Sequence, residues 1–419
     1  MKFVADLHMH SKFSRATSPD MSLEGLSRWA KIKGIDLIGT GDFTHPTWFA
    51  ELKSKGVEAD DGFVHFGAQK FVLSAEINNF WYVGEKLHRI HTCVLLPSFE
   101  VAEQVNGELG KKGDLAVDGR PTVKMSCAQM VEKIISICPK AIIFPAHAWT
   151  PWFSVFGARG GFDSLKEAYE DMAQHIYAIE TGLSSDPAMN WRVSALDSVQ
   201  LLSNSDSHSP AKIGREANVF DLDRQTYDEM YEAIRYKEKK RLALTYEFFP
   251  EEGKYHYDGH RACEIRMKPS ERKKLNGKCP VCGKNLTVGV MSRVDDLADR
   301  EEGIVPKNAH PFESLVPLAE IIGMVYDTAP SSVKVQEKYS ELIQAFGNEF
   351  AVLHATREDL ERATVPQIVD GILKVRDKKL FILPGYDGEF GTLSFEKPKE
   401  EVRRKARMDE AKQKHLGDY

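Results

Sequence analysis

The residues with chemical potential begin with His8 and His10, one residue apart at the end of an apolar N-terminal run. They recur at Asp42, Glu76, His147, Asp206 and His208, close to the ends of short apolar stretches, and at His91, near the start of one. In a strand, side chains at i and i+2 point the same way, so the two N-terminal imidazoles are expected to face one spot. Buried imidazoles and carboxylates are costly unless paired or metal-bound. Five histidines and three carboxylates at successive strand ends therefore predict a polynuclear metal centre, and such ligands favour Zn²⁺, Mn²⁺ or Fe²⁺ over Ca²⁺; the divalent metals expected in the barrel are Zn²⁺, Mn²⁺ or Mg²⁺. Two cations ~3.5–4 Å apart acidify a water and neutralise phosphate charge. The chemistry expected is phosphoester hydrolysis, with Asp206, Glu76, His8 and His10 as catalytic candidates.

The elements that must position these residues follow a β/α rhythm. After the first strand, spacing predicts a helix over 22–30, a strand over 35–43, and further strands over 71–75, 90–96, 141–146, 176–180 and 200–205. Helices are expected at about 128–137, 165–174 and 191–196. Residues 103–124, rich in Gly, Lys and Asp, read as an exposed insertion. Strands alternating with helices and tipped with polar residues predict a distorted (β/α)7 barrel, whose C-terminal strand ends form the active face.

Beyond Tyr246 the pattern changes, and the expected domains are 1–246, 247–300 and 301–419. His260 and Cys263, followed by Cys279-Pro280-Val281-Cys282-Gly283, have the spacing of a structural Zn²⁺ module, with His256 as the alternative fourth ligand. Between Arg261 and Lys284 there are eight Lys or Arg against two Glu; Arg261, Arg266, Lys273 and Lys274 are candidates for binding phosphates. Helices are expected over 312–322, 333–346 and 365–375, and the mixed-charge stretch 397–414 reads as a helix without a specific role. The net charge of -6 excludes a chain that is polyanion-binding as a whole. No run reaches the ~18 apolar residues of a membrane span, and no leader is evident, so no membrane partner and a cytoplasmic, nucleoid-associated location are expected. Cys93, Cys127 and Cys138 lie in apolar contexts and are expected as buried thiols.

Asp6-Leu7-His8-Met9-His10-Ser11 resembles motif I of the PHP (polymerase and histidinol phosphatase) superfamily. The resemblance implies a metal-bridging role for Glu76, second-metal ligation by His91 and His147, and a closing motif at Asp206 and His208. Asp42 stands where a histidine is usual. A further histidine is absent from Ser14-Arg15-Ala16, so a third metal would rest on Asp42 and His208 with help from His45; two or three divalent metals are implied. The order of parts, with Gly39-Thr40-Gly41-Asp42-Phe43-Thr44-His45-Pro46 and Phe144-Pro145-Ala146-His147-Ala148-Trp149, is similar to the endonuclease Q family of DNA-repair nucleases. That likeness implies cleavage 5′ to uracil, hypoxanthine, xanthine or an abasic site in DNA. It leaves a sliding clamp as a second candidate partner, although no clamp-binding peptide is evident.

Aromatic residues after the ligand positions fit the same idea, since a flipped base needs a stacking wall and polar groups for its edge. Trp81, Trp149, Trp152 and Phe153 are the candidate walls, and Asn78, Asn79 and Ser184 the candidate edge-binding groups. Two competing readings are a small-molecule phosphatase of the histidinol-phosphate type and a non-catalytic DNA-binding protein with a degenerate barrel.

Overall fold

The structure, a computed structural model, describes residues 1–397; the tail from 398 onward lies outside the described residues. Strand Lys2–Asp6 sits mid-sheet, antiparallel to Ala217–Asp221 and parallel to Leu37–Gly39. Leu37–Gly39 runs parallel to Gln69–Val83, which folds back on Lys86–Leu96, and Ile142–Pro145 adds to that strand's far side. Ala178–Glu180 and Gln200–Leu202 form a separate parallel pair. Single bonds stitch this pair into the wall: the Ala148 N–H donates to the Glu180 carbonyl at 3.0 Å, and the Ser203 N–H donates to Asn218 Oδ1 at 3.0 Å. The distorted barrel expected from the alternating pattern is the fold observed.

Four local expectations are corrected. The third and fourth strands are not joined by a helix. They make a long hairpin, because the two-residue loop Gly84-Glu85 lets the chain reverse, with Gly84 at φ +59° where other residues are strained. Residues 103–124 are not an exposed insertion. Helix Phe99–Leu109 buries Ala102, Val105 and Leu109, and the chain then returns so that Thr122–Val123 pairs with Asn78–Asn79. In place of a helix over 191–196 there is a four-residue helix, Pro187–Asn190, capped by Asp186, and a 3₁₀ turn, Ser194–Leu196. Phe312–Ser314 is a strand, parallel to Leu242–Glu247 in the barrel sheet. The flanking Pro311 and Pro317 disfavour helix before Leu318.

Helices Leu318–Tyr326, Val333–Phe346, Glu349–His354, Arg357–Ala363 and Pro366–Arg376 build the C-terminal region. The buried Glu349 carboxylate ties them to the barrel: it accepts from Lys33 Nζ at 2.6 Å, Tyr339 Oη at 2.6 Å and the Leu318 N–H at 3.0 Å. Cys93, Cys127 and Cys138 are buried free thiols. Among the described residues no helix is long and apolar enough to cross a membrane.

Candidate metal centre

Backbone strain aims three site residues inward. Asp42, His147 and Asp206 have φ of +50°, +31° and +46°, a region costly for side-chain-bearing residues unless the surroundings over-determine it. Buried polar groups do so here. Asp6 holds the Asp206 turn, accepting from the Ser205 N–H at 3.0 Å and the Gly214 N–H at 2.9 Å. Glu180 holds the His147 turn, accepting its N–H at 2.7 Å. Gly182 is needed beside it, because at φ +63° a Cβ would lie 2.8 Å from that of His147.

Glu76, fully buried, stands between two groups of donors. Its Oε2 lies 3.0 Å from His10 Nε2 and 3.7 Å from His8 Nε2. Asp206 Oδ1 completes that group at 3.2 Å from His10 Nε2 and 3.7 Å from His8 Nε2. Glu76 Oε1 lies 2.7 Å from His91 Nδ1 and 3.0 Å from His147 Nε2, which are 3.2 Å from each other. Two sets with ligand-like spacing, His8, His10, Glu76 and Asp206, and Glu76, His91 and His147, thus share one carboxylate.

The chemistry of this donor set fits divalent cations. His8 Nε2, His10 Nε2 and Asp206 Oδ1 are buried atoms without any hydrogen-bond partner, a costly arrangement unless a cation takes their lone pairs. Each imidazole's other nitrogen is committed. His8 Nδ1 lies 3.0 Å from Glu180 Oε1, and His10 Nδ1 lies 3.0 Å from Asp42 Oδ1, so with Nδ1–H donating, Nε2 is left as the lone-pair donor. Burial alone would raise the Glu76 carboxyl, but His91, Arg120, His10 and His147 hold it well below the usual carboxylate range. Burial pushes the His91 imidazole down, against the pull of the Glu76 carboxylate beside it.

Glu180, which reading by strand ends left out of the site, therefore orients His8, and the buried Cys93 beside it closes a third trio. The structure does not bring Asp42, His208 or His45 into a set of three or more ligand atoms among the described residues. Asp42 Oδ2 instead accepts from the Ser11 N–H and Oγ, both at 2.7 Å, and from Ser14 Oγ at 2.9 Å. His208 lies over the His10 ring, centroids 4.5 Å apart, and His45 caps helix Pro46–Lys55. Asp42→Ala is expected to weaken metal binding by roughly 10–100-fold, the usual effect of losing a group that orients a ligand, with the fold retained. Titration of the metal-free protein measures this; unchanged affinity would remove Asp42 from the centre.

A cavity of about 480 Å³ opens over the two groups. Trp152, Phe153, Asn78 and Ser184 line it, and Phe153 stacks on His91 at 5.0 Å between centroids. Three other expected pocket residues do not. Trp149 is fully buried with Nε1 bonded to Asn190, Trp81 packs beside His88 and Phe162, which stack on each other at 4.2 Å, and Asn79 points into the core toward Thr92. Packing against neighbouring elements claims all three. Arg15, Asp118, Arg120, Thr122 and Thr150 line the cavity unexpectedly. Arg120 Nη1 reaches Glu76 Oε2 at 3.0 Å, a role hidden by the charged composition of its segment.

The cysteine module gathers His260, Cys263, Cys279 and Cys282 with ligand atoms mutually within 4.8 Å. The turn Cys279–Gly283 closes on itself, the Gly283 N–H donating to the Cys279 carbonyl at 2.9 Å. His256 lies outside the set, buried beside Tyr257, where burial lowers it to about 4. Of the four residues expected to bind phosphates, Arg261, Lys273 and Lys274 are exposed. Lys273 pairs with Asp295 at 2.5 Å, and Arg266 donates to the Pro384 carbonyl at 2.5 Å.

Barrel, shared carboxylate and appended cysteine module together define a metal-dependent hydrolase built on a distorted β/α barrel. A model described as the MJ0043 C-terminal domain matches residues 317–379. Protein MJ0043 of Methanocaldococcus jannaschii is 34% identical over 263 residues, 61% of this chain, and the aligned part spans 32% of that longer protein. The crystal structure of the lesion-specific endonuclease PfuEndoQ from Pyrococcus furiosus superposes with a TM-score of 0.85 at 31% identity, covering 96% of this chain and 99% of that one. A structure of endonuclease Q in complex with a 27-mer duplex bearing an abasic lesion at its active site matches at a TM-score of 0.83 and 31% identity, over 96% of this chain and 98% of that one. The chain belongs to the endonuclease Q family.

Proposed function

We propose that the protein is a metal-dependent DNA endonuclease that hydrolyses the phosphodiester 5′ to a deaminated base (uracil, hypoxanthine or xanthine) or to an abasic site. The observation that carries this reading is Glu76 lying between two ligand groups at the floor of a cavity walled by Phe153 and Trp152. His8, His10, Glu76 and Asp206 would hold one cation and Glu76, His91 and His147 another, Zn²⁺, Mn²⁺ or Mg²⁺. When bound, such ions supply Lewis-acid neutralisation of phosphate charge and acidify a water.

The chain's own residues do the rest. Glu180 and Asp42 fix the His8 and His10 tautomers, and Phe153, packed on His91, offers a stacking face beside the reacting phosphate. Asn78 Oδ1 is a buried acceptor without a partner. It suits the ring N–H that uracil, hypoxanthine and xanthine all present. DNA is the partner of this reading, with the exposed Arg261, Lys273 and Lys274 as the candidates for its backbone, at a cytoplasmic, nucleoid-associated location; no feature of the described residues supports the sliding clamp further. The small-molecule phosphatase alternative gives no use for the cysteine module.

An end-labelled duplex with one deoxyuridine tests the proposal. Protein stripped with chelator should be inactive, regain a single cut with Mg²⁺, Mn²⁺ or Zn²⁺, and lose it in the Asp206→Ala variant. No cut with any of the three metals, or an Asp206→Ala variant as active as the parent, would contradict it.

A further inference from the structure

The proposed reaction leaves one charged feature of the cavity without a use. Arg15 and Arg120 are the only Lys or Arg side chains lining it among the described residues, and they come from distant parts of the chain. Asp118 joins them. Its Oδ1 accepts from the Arg120 N–H at 3.2 Å and the Arg15 N–H at 3.4 Å, and its Oδ2 pairs with Arg15 Nε at 3.3 Å.

The segment carrying Asp118 and Arg120 is firmly seated. The Gly119 N–H donates to the Phe13 carbonyl at 3.2 Å, Thr44 Oγ1 donates to the Gly119 carbonyl at 3.3 Å, and the Asn78 N–H donates to the Pro121 carbonyl at 3.0 Å. Gly119 packs so closely on the centre that a Cβ there would fall 2.2 Å from Asp42 Oδ2 and 2.3 Å from Ser14 Oγ. Arg120 is thus delivered by a rigid loop. Its side chain is 30% exposed, open to the cavity on one side and 3.0 Å from Glu76 Oε2 on the other.

We propose that Arg120 grips a non-bridging oxygen of the scissile phosphate, and that Arg15, through the shared Asp118 anchor, binds the neighbouring phosphate of the same strand. The inference rests on the endonuclease reading. A guanidinium is planar, always charged and matched to phosphate geometry. Cations at this centre would draw on the carboxylate that Arg120 now pairs with, which would leave the guanidinium, held in place by its seated loop, free to face a phosphate entering beside them. In hydrolysis phosphorus gains the oxygen of a water and loses one sugar oxygen, which leaves with a proton. Charge builds on the non-bridging oxygens meanwhile, where a fixed donor has the largest effect.

The test uses the full chain and an abasic duplex in single-turnover reactions, alongside metal content and metal-free duplex binding. Arg120→Ala is expected to lower the cleavage rate by ~10²–10³-fold, the usual effect of deleting one such donor, with metal content unchanged and partial rescue by added guanidinium. Arg120→Lys should retain more activity than Arg120→Ala. In the chelated protein, Arg15→Gln should weaken duplex binding several-fold and reduce the slope of log K against log salt by about 1, as when one fewer phosphate is neutralised.

Cleavage by Arg120→Ala within threefold of the parent, or a loss that tracks lost metal and is not rescued, would overturn the assignment of Arg120. An unchanged salt slope in Arg15→Gln would overturn that of Arg15. A parent protein that cuts no damaged duplex overturns the endonuclease reading itself, which separates the two failures.

Discussion

Glu76→Gln is expected to empty both halves of the barrel's metal centre and to lower cleavage by at least ~10³-fold, more than loss of one transition-state donor usually costs. Four nitrogens converge on this carboxylate: His91 at 2.7 Å and His147 at 3.0 Å on Oε1, His10 and Arg120 at 3.0 Å on Oε2. An amide of the same shape carries no charge to offset Arg120, and its NH₂ offers no lone pair to a cation on one of the two sides. A buried charge that loses its counter-charge is expensive. The variant should also melt earlier, since Arg120 and the histidines then crowd together without an anion. Metal content after dialysis gives the decisive reading: the variant should keep only the ion of the cysteine module. A Glu76→Gln protein that holds the parent's full complement of metal would show that the carboxylate does not bridge.

Cys279→Ser should act at the opposite end of the molecule. Cys279 is 2% exposed and packs with Ile265, Met267 and Leu286, a cluster too small to hold a fold alone. A bound structural Zn²⁺ contributes ~10–16 kcal/mol of apparent free energy in isolated zinc-binding peptides, so losing one of four ligands is expected to unfold the module. The damage should stop there, because the barrel's ligands lie on other strands. The variant should contain one zinc fewer, show an added early melting transition and bind damaged duplex at least about tenfold more weakly, one decade being about 1.4 kcal/mol, while the barrel keeps its metals. Parent-like zinc content and duplex affinity would remove the module from DNA binding.

Much of this was legible in the residues, for a physical reason. Strand ends must carry the chemistry in a barrel of this kind, so short apolar runs ending in His8, His10, Glu76, His147 and Asp206 announced both the fold and the floor of the site. The cysteine module was equally plain, since the Cys279–Gly283 turn needs that spacing to close. Context decided what stayed hidden. Asp42 and Glu180 have the same strand-end signature as Glu76, but backbone and imidazole donors saturate their oxygens, so they face the His10 and His8 rings instead of the shared position that Glu76 holds. Trp81 and Trp149 carry the same composition signal as Trp152 and Phe153; only their packing separates them. Arg120 was obscured because a run of Gly, Lys and Asp resembles any solvated loop. Only the pairing of Thr122–Val123 with Asn78–Asn79 shows that its loop is pinned over the centre.

The most direct test of the central claim is to map the product from a duplex carrying one abasic site, labelled at either end and run beside an undamaged duplex of the same sequence. With a divalent metal, the account predicts one cut, at the phosphodiester 5′ to the lesion, and none in the undamaged control. Cuts scattered along both duplexes, or no cut in either, would contradict it.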